Sequence, residues 1–327
     1  MLRYTLTQPR QLLSVALPFL VLLGLRPASC GGQQPSDTSA DKPAANQAPV
    51  AATRPRVEPG YFLFPIKPGQ PNYLSGSMGE LRPNHFHGGL DIKTDGRVDL
   101  PVYASADGYV SRLKQSSFGY GNVLYITHPN GLTTVYGHLN HFRGPVAEEL
   151  RRRQYEKQTY ELELFFQPGQ FPVKRGEVVA LSGNTGGSAG PHLHWEVRTA
   201  QDHQLNPLQW GGFSEIQDHV APQLQAFAVE ALGIEARVQG RFGKSVFVPK
   251  APPLPTGGGY VWPDTIRAFG TVGLLVQGFD RFDGVWNKNG FQQVEVLVNG
   301  RPHYKHVIDN IPFPEGSRQI NRHVDYE

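Results

Sequence analysis

Cysteine is almost missing from this chain: Cys30 is the single one in 327 residues. No internal disulfide can form, so the fold must be held by its core. Charge of one sign is also scarce. Of 31 Lys and Arg residues, Arg3, Arg10 and Arg26 lie in the N-terminal leader, which leaves 28 against the 28 Asp and Glu residues. Nucleic acid calls for a basic stripe or patch, and this balance excludes it as the expected partner. Long apolar runs are absent as well. The longest, LLSVALPFLVLLGL at 12–25, is interrupted by Pro18 and falls short of the about 20 residues that span a membrane. The Gly-rich stretch SGNTGGSAGPHLH has no Gly-Lys-Ser/Thr and leads through Pro191 into a strand pattern. It reads as a tight turn, not a phosphate loop.

What is present favours strands. The 37 Gly and 28 Pro residues suit turns better than long helices, and the 39% apolar content suffices for packed cores in two domains. Residues 1–29 read as an export signal, with Ala28 and Ser29 before Cys30, where a bacterial lipoprotein is cleaved and lipidated. The expected location is the cell envelope, periplasmic or at the surface, with a lipid anchor through Cys30. Residues 31–60 hold almost no large apolar side chain and read, with Cys30, as a disordered tether.

The folded part is expected at 61–214 as a mainly β, antiparallel domain. Its signals are YFLFPI at 61–66 and alternating runs at 102–106, 109–113, 123–128, 133–138 and 178–182, set apart by Gly, Asn and Pro. The turn HPNG at 128–131 fits a hairpin, which gives His128 a turn role. Between them, VAEELRRRQYEKQTYELELFF is rich in helix formers and reads as one helical insertion at about 145–166, with Arg151, Arg152 and Arg153 on a solvated face. Residues 221–327 read as a second β-rich domain of immunoglobulin-like sandwich type, expected to end incomplete. Its segment DRFDGVWNKNG offers Asp280, Asp283, Asn287 and Asn289, but the spacing fits a polar turn, not a standard calcium loop.

Chemistry concentrates in HFHGGLD at 85–91 and HLHWEVR at 192–198. The first sets His87 and Asp91 in the pattern His-x-x-x-Asp; the second sets His192 and His194 in His-x-His. An extended HLHWEVR puts His192, His194, Glu196 and Arg198 on one face and Leu193, Trp195 and Val197 on the other. Two His and one Asp suit zinc, whose catalytic sites take three protein ligands and leave the fourth position to water. His85 shares a strand face with His87 and competes with it as a ligand, but the His-x-x-x-Asp spacing selects His87.

These motifs, with PVYASADGYVSRL, GYGNVLYITHPNGLTTVYGHL and FPVKRGEVVALSGNTGGSAGPHLHWEVR in the same order, resemble the lysostaphin-type (LytM-like) zinc metallopeptidases that cut bacterial peptidoglycan. The resemblance runs from about Phe64 to Trp210. It implies His87, Asp91 and His194 as ligands of one Zn2+, His192 as general base, and His138 as a second catalytic histidine near the oxyanion. None of these positions is replaced. It implies a peptidoglycan endopeptidase acting on peptide stems, against two alternatives: a binding or activator module that regulates other wall hydrolases, and a metallopeptidase with protein substrates. Small members of the family lack so long an insertion after His138. The sequence names neither the bond cleaved nor an oligomeric state.

Overall fold

The computed structural model describes residues 57–210, 213–249, 260 and 265–318, together with the backbone of Leu2–Leu6 and Leu12–Val15. Cys30 and most of the expected tether lie outside the described residues. The fold is mainly β, with antiparallel sheets and one α-helix among the described residues.

A ten-stranded sheet organises the first region. Its main path runs through Leu162–Phe165, Gly108–Gln115, Val123–Thr127, Thr133–Gly137, His192–Arg198, His203–Leu205 and Asn310–Pro312. The strand His192–Arg198 is its pivot. One edge pairs with Thr133–Gly137, while the other is divided between Leu90–Lys93 and His203–Leu205. The alternation read from the sequence holds: Leu193, Trp195 and Val197 are fully buried in the main core. Phe62 and Phe213 meet the Trp195 ring edge-on at 6.2 and 5.6 Å, a geometry that the ring quadrupole favours. A smaller sheet has the strand order Pro101–Tyr103, Val178–Leu181, His141–Phe142.

 Within that smaller sheet Val178–Leu181 is central, and both of its neighbours run antiparallel to it.

The hairpin at 128–131 forms as read. Gly131 takes a positive φ of 81°, and the Asn130 side chain accepts the Leu132 N–H at 3.0 Å. His128 is buried beneath it, its Nδ1 donating to the Asp107 carbonyl at 2.9 Å. Two expectations need correction. The helical insertion ends at Lys157: Gln158 turns left-handed, and Leu162–Phe165 pairs as a strand with Gly108–Gln115. The alternation Glu161, Leu162, Glu163, Leu164 has a strand period, and pairing with an open sheet edge overrides helix propensity. YFLFPI forms no ladder strand either. It buries Phe62, Phe64 and Ile66 while making isolated backbone bonds to Tyr103 and Ser105. Arg152 and Arg153 pair with Glu149 and Glu156 on the outer face of Pro145–Lys157, as a solvated face does.

The C-terminal region holds a four-stranded sheet in the order Leu2–Leu6, Val272–Phe279, Gln223–Ala231, Lys244–Phe247, and a three-stranded sheet of Arg237–Val238, Ile266–Phe269 and Leu12–Val15. Val229, Ala231, Val238, Ile266, Ala268 and Val272 form its core. Leu2–Leu6 and Leu12–Val15 occupy outer edges, so the remaining ladders do not depend on them. A separate hairpin joins Gln293–Val298 to Arg301–Val307. From there the chain returns to the first region. Asn310–Pro312 extends the ten-stranded sheet beside His203–Leu205, and Ile308 and Ile311 pack on Met78. Gly79 permits that approach, since a Cβ there would meet Ile308 at 2.4 Å.

Candidate metal centre and active site

Strand register brings the motifs together. His194 lies across from Asp91 on one side and from Gly137 on the other, so His138 follows at the strand end. Gly89 lets the HFHGGLD segment close on the ligand strand: a Cβ there would meet the Trp195 carbonyl oxygen at 2.4 Å. His138 adopts a left-handed backbone, φ 58°, which few non-glycine residues take. Its N–H donates to the Tyr120 carbonyl at 2.8 Å, and its ring centre lies 4.7 Å from that of His192.

His87, Asp91 and His194 are each buried, and one donor atom from each lies within 4.8 Å of the others. His87 Nδ1 donates to the Ser77 carbonyl at 2.8 Å, which leaves Nε2 facing Asp91 Oδ1 at 3.0 Å. His194 Nδ1 approaches the same oxygen at 2.9 Å, while its Nε2 donates to Glu196 Oε1 at 2.8 Å. Each ring therefore has one nitrogen fixed by an outer partner and the other aimed inward. That is how metal-binding histidines are oriented, and the donor set of two imidazoles and a carboxylate fits zinc. His85 is exposed and bonds Asn84, so it stands outside this group.

A layer behind the donors was not singled out in the sequence. Glu196 is fully buried and receives Arg198 Nε at 2.6 Å, the Tyr120 hydroxyl at 2.6 Å and Gln204 Nε2 at 3.1 Å. Arg82 donates to Asp91 Oδ2 at 2.7 Å. The shared strand face of His194, Glu196 and Arg198 was legible; that Glu196 grips the His194 ring was not, because it needs Tyr120 and Gln204 brought from elsewhere in the chain.

The charges are strongly coupled. Burial disfavours the Asp91 carboxylate, but the surrounding His87, His192 and His194 rings outweigh it and hold its pKa well below the usual range. Burial also pulls His194 down, yet hydrogen bonds to Asp91 and Glu196 dominate and raise it to about 9. Burial, then the neighbouring His194 and His192 rings, lower His138 to about 3 and keep it neutral. His192 Nδ1 donates to the Gly190 carbonyl at 2.8 Å, and His138 Nδ1 to the Thr185 carbonyl at 2.8 Å. Those bonds leave each Nε2 turned away from the backbone, and His192 Nε2 lies 3.4 Å from Asp91 Oδ1. All five histidine and aspartate side chains line one cavity of about 1010 Å³.

A buried donor triad with two further imidazoles beside it in an open cavity is an arrangement that could hold a metal ion. Residues 85–155 and 160–207 match Peptidase family M23, and the chain carries an M23 (LytM-like) peptidase domain. It is 32% identical over 168 residues to the DD-carboxypeptidase/endopeptidase Mpg of Neisseria meningitidis serogroup B, a match covering 51% of this chain and 29% of that protein. The peptidoglycan DD-endopeptidase ShyB of Vibrio cholerae serotype O1 is 33% identical over 111 residues, 34% of this chain and 20% of its own length. The chain thus spans less than a third of the length of these curated relatives. Among solved structures, the catalytic domain of the prophage-encoded M23 protein EnpA from Enterococcus faecalis aligns with a TM-score of 0.33 and 26% identity, over 46% of this chain and 98% of that one.

Proposed function

We propose that this protein is a zinc-dependent endopeptidase that hydrolyses peptide cross-links of bacterial peptidoglycan. The observation that carries the reading is the pairing of His192 and His138 beside the donor triad, each with Nδ1 donating to a backbone carbonyl and with His192 Nε2 3.4 Å from Asp91 Oδ1. The similarity to the peptidoglycan DD-endopeptidase of Vibrio and to the DD-carboxypeptidase/endopeptidase of Neisseria supports the substrate class.

His87 Nε2, Asp91 Oδ1 and His194 Nδ1 would hold the metal. A bound zinc ion supplies Lewis acidity, acidifying a water to a pKa of about 7 and polarising the carbonyl under attack. His192 Nε2 accepts the proton of the attacking water and later delivers it to the leaving amine. His138 has its Nδ1 proton committed to Thr185, so it can donate to the oxyanion only with a second proton on Nε2. Burial and the neighbouring His194 and His192 rings disfavour that second proton, so the neutral His138 ring offers Nε2 as an acceptor in the cavity. Glu196, held by Arg198 and Tyr120, fixes the tautomer of His194 by accepting its Nε2 proton.

A peptidoglycan substrate requires an extracytoplasmic location, which the leader supplies in this reading, with a lipid on Cys30 as the anchor. No helix among the described residues is long and apolar enough to cross a membrane. Metal analysis of the full chain and digestion of isolated sacculi test the proposal. Wild type is expected to carry one zinc and release resolved cross-links; His194→Ala to lose metal and activity together; and His192→Ala to keep metal and lose turnover. Zinc without new fragments would favour the activator or protein-substrate reading, and near-full turnover in His192→Ala would remove it as the base.

A further inference from the structure

The cavity that holds the donor triad is walled on one side by residues far outside the matched peptidase region. Asn287, Phe313, Ser317 and Arg318 line it together with His87, Asp91 and His194. The wall is built in. Asn310–Pro312 is a strand of the catalytic sheet, and the Ser317 carbonyl accepts the Phe86 N–H at 2.7 Å, one residue from His87. The Phe313 ring lies 4.4 Å from the guanidinium of Arg198, and Ser317 is buried. Arg318 follows directly at the end of the short helix Gly316–Arg318, exposed and facing the cavity it lines.

The charges lining that cavity do not balance. Its cationic side chains are Arg82, Lys93 and Arg318, and Asp91 is its one carboxylate. Arg82 is committed to Asp91 and Glu80. Lys93 and Arg318 have no acidic partner among the described residues. They also stand apart: Lys93 lies across the strand from His192, whereas Arg318 adjoins the Phe86 side. A bound divalent cation adds to the excess.

We propose that Arg318, presented by the C-terminal segment, is a specificity residue that receives a free carboxylate of the bound peptide, with Lys93 facing a second anionic position across the donor triad. This deepens the endopeptidase reading and rests on it for the identity of the substrate. Guanidinium binds carboxylate through a planar pair of N–H donors, a geometry that an amide does not satisfy as an acceptor pair. The preferred substrate is accordingly a peptide carrying free carboxylates near the scissile bond, and amidation of those groups weakens it.

The test uses the zinc-loaded full chain and a pair of cross-linked peptides that differ only in a free or amidated carboxylate. Turnover and, separately, calorimetric binding are measured for wild type, Arg318→Ala and Arg318→Glu. Wild type is expected to favour the free acid by about tenfold in kcat/KM, the equivalent of 1.4 kcal/mol. Arg318→Ala should abolish that preference through KM with kcat unchanged, and Arg318→Glu should reverse it. An unchanged preference in both variants overturns the proposal. Loss of kcat with unchanged KM also overturns it, because it would mark Arg318 as a support of the fold or of the metal ligands. If wild type binds the acid more tightly than the amide but cleaves neither, the endopeptidase reading fails while the carboxylate site stands.

Discussion

Buried polarity separates the two regions of this molecule. In the first, Glu196, Arg198, Ser105 and Thr134 are essentially inaccessible, and each has hydrogen-bond partners. In the second, the core of Val229, Val238, Ile266 and Val272 is apolar, while Ile234, Phe242, Val246 and Val248 stand exposed. A polar interior is a demanding way to stabilise a sheet, since each group must be satisfied or it destabilises the fold. Its return is orientation. Of these groups, Glu196, held by Arg198, fixes the ring of His194 in the donor triad.

The largest expected break in that contrast is Glu196→Ala, which leaves the buried Arg198 with only the exposed Asp202 as a carboxylate partner and should destabilise the fold by about 3 to 5 kcal/mol. Denaturant midpoints would show it, and Glu295→Ala on the exposed C-terminal hairpin should leave the midpoint unmoved. The pH dependence has a definite sign. Burial disfavours the Glu196 carboxylate, but Arg198 and His194 dominate and depress its pKa, so its contribution is complete above the unfolded value of about 4.3 and is lost as pH falls toward the folded value. Next comes Tyr136→Phe. The hydroxyl accepts the Ser105 N–H at 2.9 Å and bonds Ser105 Oγ and Thr134 Oγ1, so its removal should lose about 1 to 3 kcal/mol by leaving buried groups unpaired.

Metal uptake sharpens the comparison from the other direction. With His194 raised to about 9, the metal-free site holds a proton at neutral pH that zinc must displace. Calorimetry in buffers of different ionisation enthalpy should register that release, and apparent affinity should fall as pH is lowered. The smallest effect belongs to Glu149→Gln. Glu149 also pairs with two arginines, Arg152 and Arg153, but on the outer face of a helix, where solvent screens the pairs and side-chain entropy opposes them. Its thermal midpoint should match that of wild type within error.

The sequence was most legible where one strand carries the whole pattern. His192–Arg198 alternates cleanly, and its buried and functional faces follow from period two alone. The His-x-x-x-Asp and His-x-His spacings offered the candidates, the family resemblance chose His87, Asp91 and His194 among them, and register brings those three together. Legibility failed where a residue's partner is remote. Leu162–Phe165 looks helical beside Pro145–Lys157 until the edge of Gly108–Gln115 is available to it. Arg82, Tyr120 and Gln204 acquire meaning only from the groups they touch at the site. The wall formed by Phe313, Ser317 and Arg318 had no local signal, because nothing in 310–318 resembles a binding motif.

The strand Asn310–Pro312 also closes an edge. Without it, the outer backbone groups of His203–Leu205 face solvent unpaired, and Met78 loses the cover of Ile308 and Ile311. An unpaired edge beside an apolar patch is a template for pairing with another copy. A fragment cut near residue 214 would expose that edge, and sedimentation should show it self-associating where the full chain does not.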